Sequence, residues 1–235
     1  MDLTEAMRTQ NACCYYKPDP VPDQVFYNAV EAARFGPQGG NRQPVRFLIV
    51  RDPEKKKQLA EWYEIPWRQY IDAMLAGQDA VTEEGSGVAK STKAGLKNLG
   101  KAAEDADHFA RHLAEHPAIV VACADIAETH PTDTALDRLS IVGGASVYPT
   151  TQNFCLALRD QGVATRFTTL LVAYEEQVKE LLGIPKELAT AAHIVAGYPL
   201  KGFPKKLTRR PVEEIAFLDS FDHPLTSDAA EAAVA

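Results

Sequence analysis

Hydrophobic residues recur along much of the chain at the spacing of three to four residues that places them on one face of a helix. The clearest case follows Asp23, a residue type that caps helix N-termini, and ends at the Gly36-Pro37 pair. The same spacing predicts helices over residues 1–10, 53–63, 67–76, 102–115, 140–161 and 174–182, the 140–161 helix being interrupted near its start by Pro149.

Four shorter stretches are apolar and rich in β-branched residues, which predicts strands. They are RFLIV at 46–50, AIVVACA at 118–124, VATRFTT at 163–169 and AAHIVAGYP at 191–199. The continuous apolar content of 118–124 indicates a buried strand. Because helices and strands are mixed without regular β-α-β alternation, the pattern predicts an α+β domain.

The remaining segments lack a sustained period. Residues 77–101 hold several glycines and few large apolar side chains, which predicts a flexible flap. Residues 198–223 predict an arm that lies along another surface, and residues 224–235 a disordered tail. We expect residues 1–223 to form one domain.

Composition and charge argue against several classes of function. The 235 residues carry 25 Lys and Arg against 32 Asp and Glu, a formal net charge of −7, which argues against a nucleic-acid or anionic-membrane binder. No apolar run approaches the roughly 20 residues that span a bilayer. The first ten residues, MDLTEAMRTQ, lack the pattern of a signal peptide. The cysteines, without C-x-x-C spacing, predict free thiols and a cytoplasmic location: Cys13, Cys14, Cys123 and Cys155.

Three segments resemble one family in the right order. They are ARFGPQGGNRQPVRFLIV at 33–50, GASVYPTTQNFCLALRDQGVATRFTT at 144–169 and LGIPKELATAAHIVAGYPLKGFPKKLTRRPVEE at 182–214. Together with HLAEHPAIVVAC at 112–123, they resemble the FMN-dependent nitroreductases, a family that includes flavin reductases and reductive dehalogenating relatives. The resemblance covers most of residues 1–223.

The resemblance implies a three-layer α/β/α fold with a central, mainly antiparallel sheet. It further implies an intertwined homodimer, in which each C-terminal arm wraps the partner and two flavin sites lie at the interface. FMN would be the cofactor and NAD(P)H the reductant, in a ping-pong hydride transfer to a small aromatic or conjugated substrate. Because a flavin ring carries such chemistry itself, we expect no dedicated catalytic residue and no metal.

The resemblance also implies which residues bind FMN. Glycines in the loop 36–44 allow the backbone to approach a planar ring closely. Asn41 matches the asparagine near the ring, Gln43 and Pro44 complete that motif, and Thr168, Thr169 and Leu170 match the stretch under the flavin. Arg209 and Arg210 match the basic position that binds the phosphate, and the register from Pro211 favours Arg209. The alternative for each residue is a polar turn or a solvated charge.

The N-terminal signature departs from the family pattern. The linker KPDPVP at 17–22 is intact, which fixes the register. Where the family has arg-arg-ser-x-arg, this chain has Gln10, Asn11, Ala12, Cys13 and Cys14; Gln38 replaces a loop serine and Val45 a tryptophan. A hydrogen bond to a charged group contributes about 1.5–3 kcal/mol, so losing two arginine contacts weakens FMN binding by a few powers of ten unless Gln10, Asn11, Gln38 or lysines compensate. Gln10, Asn11, Ala12, Cys14 and Gln38 remain in the predicted cofactor site.

Three further patterns have two interpretations each. Trp62, Tyr63 and Trp67 form an aromatic cluster that either lines the substrate pocket or packs in the core. His108, His112 and His116 follow helical spacing, but an ordinary helix explains them better than a metal site. A lysine run at the same spacing either attracts anionic groups or forms a solvated helix face: Lys90, Lys93, Lys97 and Lys101.

The sequence thus predicts an FMN-dependent, NAD(P)H-oxidising oxidoreductase. The missing cations at 10–14 keep a second hypothesis open, in which the protein binds or sequesters flavin with little turnover or binds another ligand. A third hypothesis retains the enzyme but uses the flavin as an oxidase or dehydrogenase cofactor.

Overall fold

The computed structural model describes residues 1–75 and 99–226, so most of the predicted flap, with Lys90, Lys93 and Lys97, lies outside the described residues. In the described part the helices are α1 Leu3–Thr9, α2 Asp23–Ala33, α3 Pro53–Leu75, α4 Leu99–Arg111, α5 Tyr148–Asp160 and α6 Glu175–Leu182. The strands are β1 Val45–Val50, β2 Ala118–Asp125, β3 Ala164–Thr168 and β4 Leu188–Gly197. No helix among the described residues is both long and apolar enough to cross a membrane.

The strands form one antiparallel sheet in the order β1-β2-β4-β3. β2 and β4 therefore occupy the centre, and β1 and β3 lie at opposite edges. The register places Val121 beside His193 on β4, and His193 beside Thr168 on β3. The predicted antiparallel sheet is confirmed.

Helices cover both faces of this sheet. Along β2, Ile119, Val121 and Cys123 face one apolar cluster, and Ala118, Val120 and Ala122 face another. The first cluster is completed by side chains of α3, α4 and α6, and the second by side chains of α2 and α5. Because both faces of β2 are covered, its sequence is continuously apolar rather than alternating. The three-layer α/β/α arrangement is confirmed.

One helix replaces the two predicted over 53–63 and 67–76. α3 runs from Pro53 to Leu75 with Pro66 inside it. A proline within a helix removes one backbone hydrogen bond. A stripe of buried side chains, spaced four residues apart, continues on both sides of the proline: Leu59, Tyr63, Trp67 and Ile71. Packing of this continuous stripe stabilises the helix through the proline.

The predicted helix over 140–161 begins later, at Tyr148. Pro149 lies in the first turn of α5, where its missing N–H costs nothing and its fixed φ suits a helix start. Residues Val142–Gly144 form a single 3-10 turn instead. Proline therefore begins this helix and does not interrupt it.

The start of the arm lies against the N-terminal segment. The Leu200 N–H donates to the Tyr15 carbonyl at 2.9 Å, and the Leu207 N–H donates to the Arg8 carbonyl at 3.0 Å. Beyond it, the Leu225 N–H donates to the Ala216 carbonyl at 2.9 Å, so the first residues of the predicted tail are paired. Residues 99–101, assigned to the flap, belong to α4.

Candidate functional site

Residues 10–14 run along the outer edge of β3. Ala12 forms a parallel bridge with Thr165, and the Cys13 N–H donates to the Thr165 carbonyl at 3.0 Å. The Gln10 amide donates to the Thr165 hydroxyl at 3.0 Å and accepts from Gln152 at 3.3 Å. Gln10 is therefore held between β3 and α5, whereas Asn11 is half-buried and Ala12 exposed.

Cys14 has a cationic neighbour that the sequence analysis did not single out. The Arg166 Nη1 donates to the Cys14 Sγ at 2.8 Å. Burial is the main cause that raises the pKa of Cys14, and it outweighs the opposing effect of Arg166. The sequence feature that could have indicated this contact is the single arginine in the otherwise uncharged predicted strand 163–169. All four cysteines are free thiols, as predicted.

The loop before β1 has an unusual backbone. Gly40, Asn41 and Gln43 have φ of 61°, 55° and 55°. Glycine adopts this left-handed region freely and asparagine tolerates it, but glutamine seldom does. Strained residues of this kind cluster at ligand-binding sites. The exposed side chains of Asn41 and Gln43 thus stand on a loop whose conformation is held by its surroundings.

Two contacts fix this loop to the start of α5 and to the residues just before it. The Gly39 N–H donates to the Ser146 hydroxyl at 3.0 Å. Buried Gly36 lies so close to Thr150 that a Cβ would come within 2.6 Å of the Thr150 Oγ1. The Gln38 amide donates to the Arg34 and Gly36 carbonyls at 3.2 and 3.4 Å. Gln38 therefore stabilises the loop from within.

The carboxyl end of β3 carries a group of polar side chains. The half-buried Thr168 hydroxyl donates to the Tyr63 hydroxyl at 3.5 Å and accepts from the Leu170 N–H at 3.4 Å. His193, the cross-strand neighbour of Thr168, is 1% exposed, and neither ring nitrogen has a hydrogen-bond partner among the described residues. Burial lowers the pKa of His193 to about 4. Thr169 is exposed beyond this group.

The aromatic cluster divides between core and surface. Tyr63 and Trp67 are buried, and the Trp67 Nε1 donates to Asp107 at 3.1 Å. The structure therefore favours core packing for these two residues. Trp62 is half-buried and stacks on Tyr174 at a centroid distance of 6.3 Å. Trp62 alone of the three keeps the accessible surface that a substrate contact needs.

Arg209 and Arg210 are both exposed on the arm. The Arg209 Nη1 donates to the neighbouring Thr208 carbonyl at 2.8 Å, and neither guanidinium forms an ion pair with a described carboxylate. The Leu207 N–H is hydrogen-bonded to the Arg8 carbonyl near the end of α1. Arg209 and Arg210 come two and three residues after Leu207. Their charges are available to an anion close to the start of segment 10–14.

The three spaced histidines pack against other rings and do not converge on one point. His108 and His112 have ring centroids 4.1 Å apart, and His108 stacks on Tyr15 at 4.4 Å. The ring of His116, 5% exposed, packs against Phe109 at 5.1 Å. Within the described residues, no group of His, Cys, Asp or Glu has the geometry of a metal site.

The predicted flavin-binding residues fall into two groups within one chain. Segment 10–14 and Thr168 lie along β3, whereas the loop 36–44 precedes β1. β1 and β3 are three strand spacings apart in the sheet, about 14 Å at the usual 4.8 Å per spacing. One chain therefore does not bring Asn41 beside Thr168.

Comparison with known proteins identifies the family. A family model described as "Nitroreductase family" matches residues 11–198. This chain belongs to the nitroreductase family. The match confirms the predicted family and an oxidoreductase as the class of enzyme. The matched residues include segment 11–14, the loop 36–44 and the end of β3, but the match ends before Arg209.

Three similar proteins match this chain along most of their length. An NADH dehydrogenase of Thermus thermophilus is 26% identical over 219 residues, covering 92% of this chain and 95% of that protein. The structure of oxidised iodotyrosine deiodinase bound to FMN and 3-iodo-L-tyrosine has a TM-score of 0.67 at 20% identity, over 94% of this chain and all of that one (100%). The NADPH:FMN oxidoreductase of Vibrio harveyi, complexed with NAD+, has a TM-score of 0.61 at 16% identity, over 98% and 82% of the two chains. The last two likenesses confirm the fold.

Proposed function

We propose that this nitroreductase-family protein is an FMN-dependent oxidoreductase that oxidises NAD(P)H and reduces a small aromatic or conjugated substrate. The observation that carries the proposal is the left-handed backbone at Gly40, Asn41 and Gln43, in the loop that resembles the family's ring-binding motif. The relatives described above, whose names include NADH, NADPH and FMN, support the same cofactor and reductant.

The residues present fit FMN chemically. The phosphate requires cations without carboxylate partners, and Arg209 and Arg210 supply two such guanidinium groups among the described residues. The ring requires a backbone that can approach a flat surface, which the glycines of the loop 36–44 allow. Thr168 presents a hydroxyl whose orientation is set by Tyr63 and Leu170.

We propose that the site is shared between two copies of the chain. The loop 36–44 and Thr168 lie at opposite sheet edges of one chain, so a loop from a second copy would complete the site at β3. Several large apolar residues near α5 and β3 support such an interface because they are exposed in the single chain: Leu136, Leu139, Ile141, Tyr148 and Phe167. The arm 198–223, with exposed Ile215 and Phe221, would cover part of the partner.

If bound here, FMN would supply the redox chemistry, a hydride transfer between NAD(P)H and the second substrate. The protein's own residues bind and orient. Arg209 would hold the phosphate, the loop 36–44 would support the ring, and Thr168 would orient the ring from β3. Half-buried Trp62 offers a stacking surface to an aromatic substrate.

The first experiment is the visible absorption spectrum of the purified protein, with FMN added if the protein is colourless. We expect flavin bands, followed by steady NADH or NADPH oxidation once an acceptor such as a nitroaromatic compound is added. Flavin bands without turnover would support the sequestering alternative. A protein that ignores added FMN would overturn the proposal.

Arg209→Ala tests the phosphate assignment. A hydrogen bond to a charged group contributes about 1.5–3 kcal/mol, so we expect the Kd for FMN to rise about 10- to 100-fold. Riboflavin lacks the phosphate, and its Kd should not change. Flavin fluorescence quenching measures both values. Arg34→Ala is the matched control, since Arg34 is exposed and paired with Glu31 on α2; equal losses in both variants would refute the assignment.

A further inference from the structure

Segment 10–14 lacks the arginines of the family signature, and Arg166 on β3 brings a positive charge next to it. Segment 10–14 runs parallel to β3, with Ala12 bridged to Thr165. The Arg166 Nη1 reaches the Cys14 Sγ at 2.8 Å. Cys14 is the position of the last arginine in the family's arg-arg-ser-x-arg signature. A guanidinium on the neighbouring strand therefore lies beside the position at which the signature arginine is missing.

Among the residues that the structure describes, Arg166 has no ion-pair partner. Its guanidinium carbon lies 4.4 Å from the centroid of the Phe109 ring, and no described carboxylate lies within ion-pair distance. A guanidinium has five N–H donors. The hydrogen bond that the structure gives this side chain goes to a sulfur, a weak acceptor. A half-buried cation held by a thiol and a ring retains the capacity to bind an electron-rich ligand.

The position of Arg166 indicates which end of a flavin it meets. Arg166 and Thr168 are two residues apart on β3, so their side chains project from the same face about 7 Å apart. The Leu207–Arg8 contact lies at the other end of the segment, and the extended run from Gln10 to Cys14 is about 13 Å long. Arg209 therefore belongs to the phosphate end and Arg166 to the ring end.

We propose that Arg166 is a flavin-binding residue, which places a positive charge beside the electron-rich pyrimidine edge of the isoalloxazine ring in place of the missing signature cation. The proposal rests on the proposed function. A cation there stabilises the negative charge that the ring gains on two-electron reduction, since charge near the ring tunes flavin electronics. Arg166 would thus both tighten flavin binding and raise the midpoint potential.

Arg166→Gln tests this role through binding and potential. We expect the Kd for FMN and the Kd for riboflavin to rise by the same factor, about 10- to 100-fold, because the contact is to the ring that both share. The midpoint potential of the FMN-loaded variant should fall below that of the wild type. Arg166→Lys keeps the charge and should recover most of the potential. Arg111→Gln is the control, an exposed arginine of α4 paired with Asp107.

A double variant that moves the guanidinium to position 14 distinguishes loss of the charge from loss of folding. Cys14→Arg combined with Arg166→Val returns the guanidinium to the family position, and we expect it to bind FMN more tightly than Arg166→Val alone. Unchanged flavin binding in Arg166→Gln would overturn the proposal. Weaker binding of FMN with unchanged binding of riboflavin would also overturn it, because that result would place Arg166 at the phosphate. Wild-type protein that binds neither flavin would overturn the proposed function and this inference together, whereas a failure confined to the variants would overturn only the inference.

Discussion

Acidification from pH 6.5 to pH 4 is expected to lower the free energy of unfolding by about 6 kcal/mol through His116 and His193. Burial lowers the pKa of each imidazole from 6.5 to about 4. Below pH 6.5 the unfolded chain therefore takes up two protons that the folded chain excludes, which favours unfolding until pH falls past about 4. A shift of 2.5 pKa units corresponds to about 3 kcal/mol per histidine.

Urea unfolding followed by circular dichroism at pH 7.5, 6 and 5 measures this effect. His193→Leu should remove about half of the pH dependence contributed by the two histidines. At pH 7.5 it should not lower stability, because the imidazole has no hydrogen-bond partner among the described residues. His130→Gln is the control, since His130 is exposed. A pH dependence in His193→Leu equal to that of the wild type would contradict the assignment.

Gly36→Ala is expected to destabilise the protein by about 3 kcal/mol, at the upper end of the cost of overpacking. The new Cβ would lie 2.6 Å from the Thr150 Oγ1, 2.8 Å from the Thr150 Cα and 2.9 Å from its backbone nitrogen. Because two of these atoms are backbone of α5, rotating a side chain cannot relieve the clash. The loop 36–44 would have to move away from the helix.

Gly39→Ala is the matched control in the same loop. Its Cβ would meet only the Ser146 Oγ at 3.6 Å, an ordinary contact, so we expect a change in stability below about 1 kcal/mol. Thermal and urea unfolding compare the two variants directly. We also expect Gly36→Ala to bind FMN more weakly than Gly39→Ala, since the loop is the proposed ring support. Equal stabilities of the two variants would show that the loop is not packed on α5 as described.

The elements and the family could be predicted because they depend on local pattern. The strand at 118–124, the helix after Asp23 and the loop motif at 36–44 each lie within a short window of sequence. Two helix predictions were wrong near a proline. At Pro66 the stripe formed by Tyr63 and Trp67 continues the helix, and at Pro149 the residue begins one. In both cases packing or helix-end geometry determined what a proline does.

The sequence by itself determined the α+β class and, through its resemblance to the nitroreductases, the family and the antiparallel sheet. Only the tertiary structure decided that Tyr63 and Trp67 point into the core, that Arg166 meets Cys14 across a strand pair, and that Asn41 and Thr168 lie at opposite sheet edges. The physical reason is separation along the chain. Arg166 and Cys14 are far apart in sequence, and their contact arises only when segment 10–14 pairs with the edge of β3.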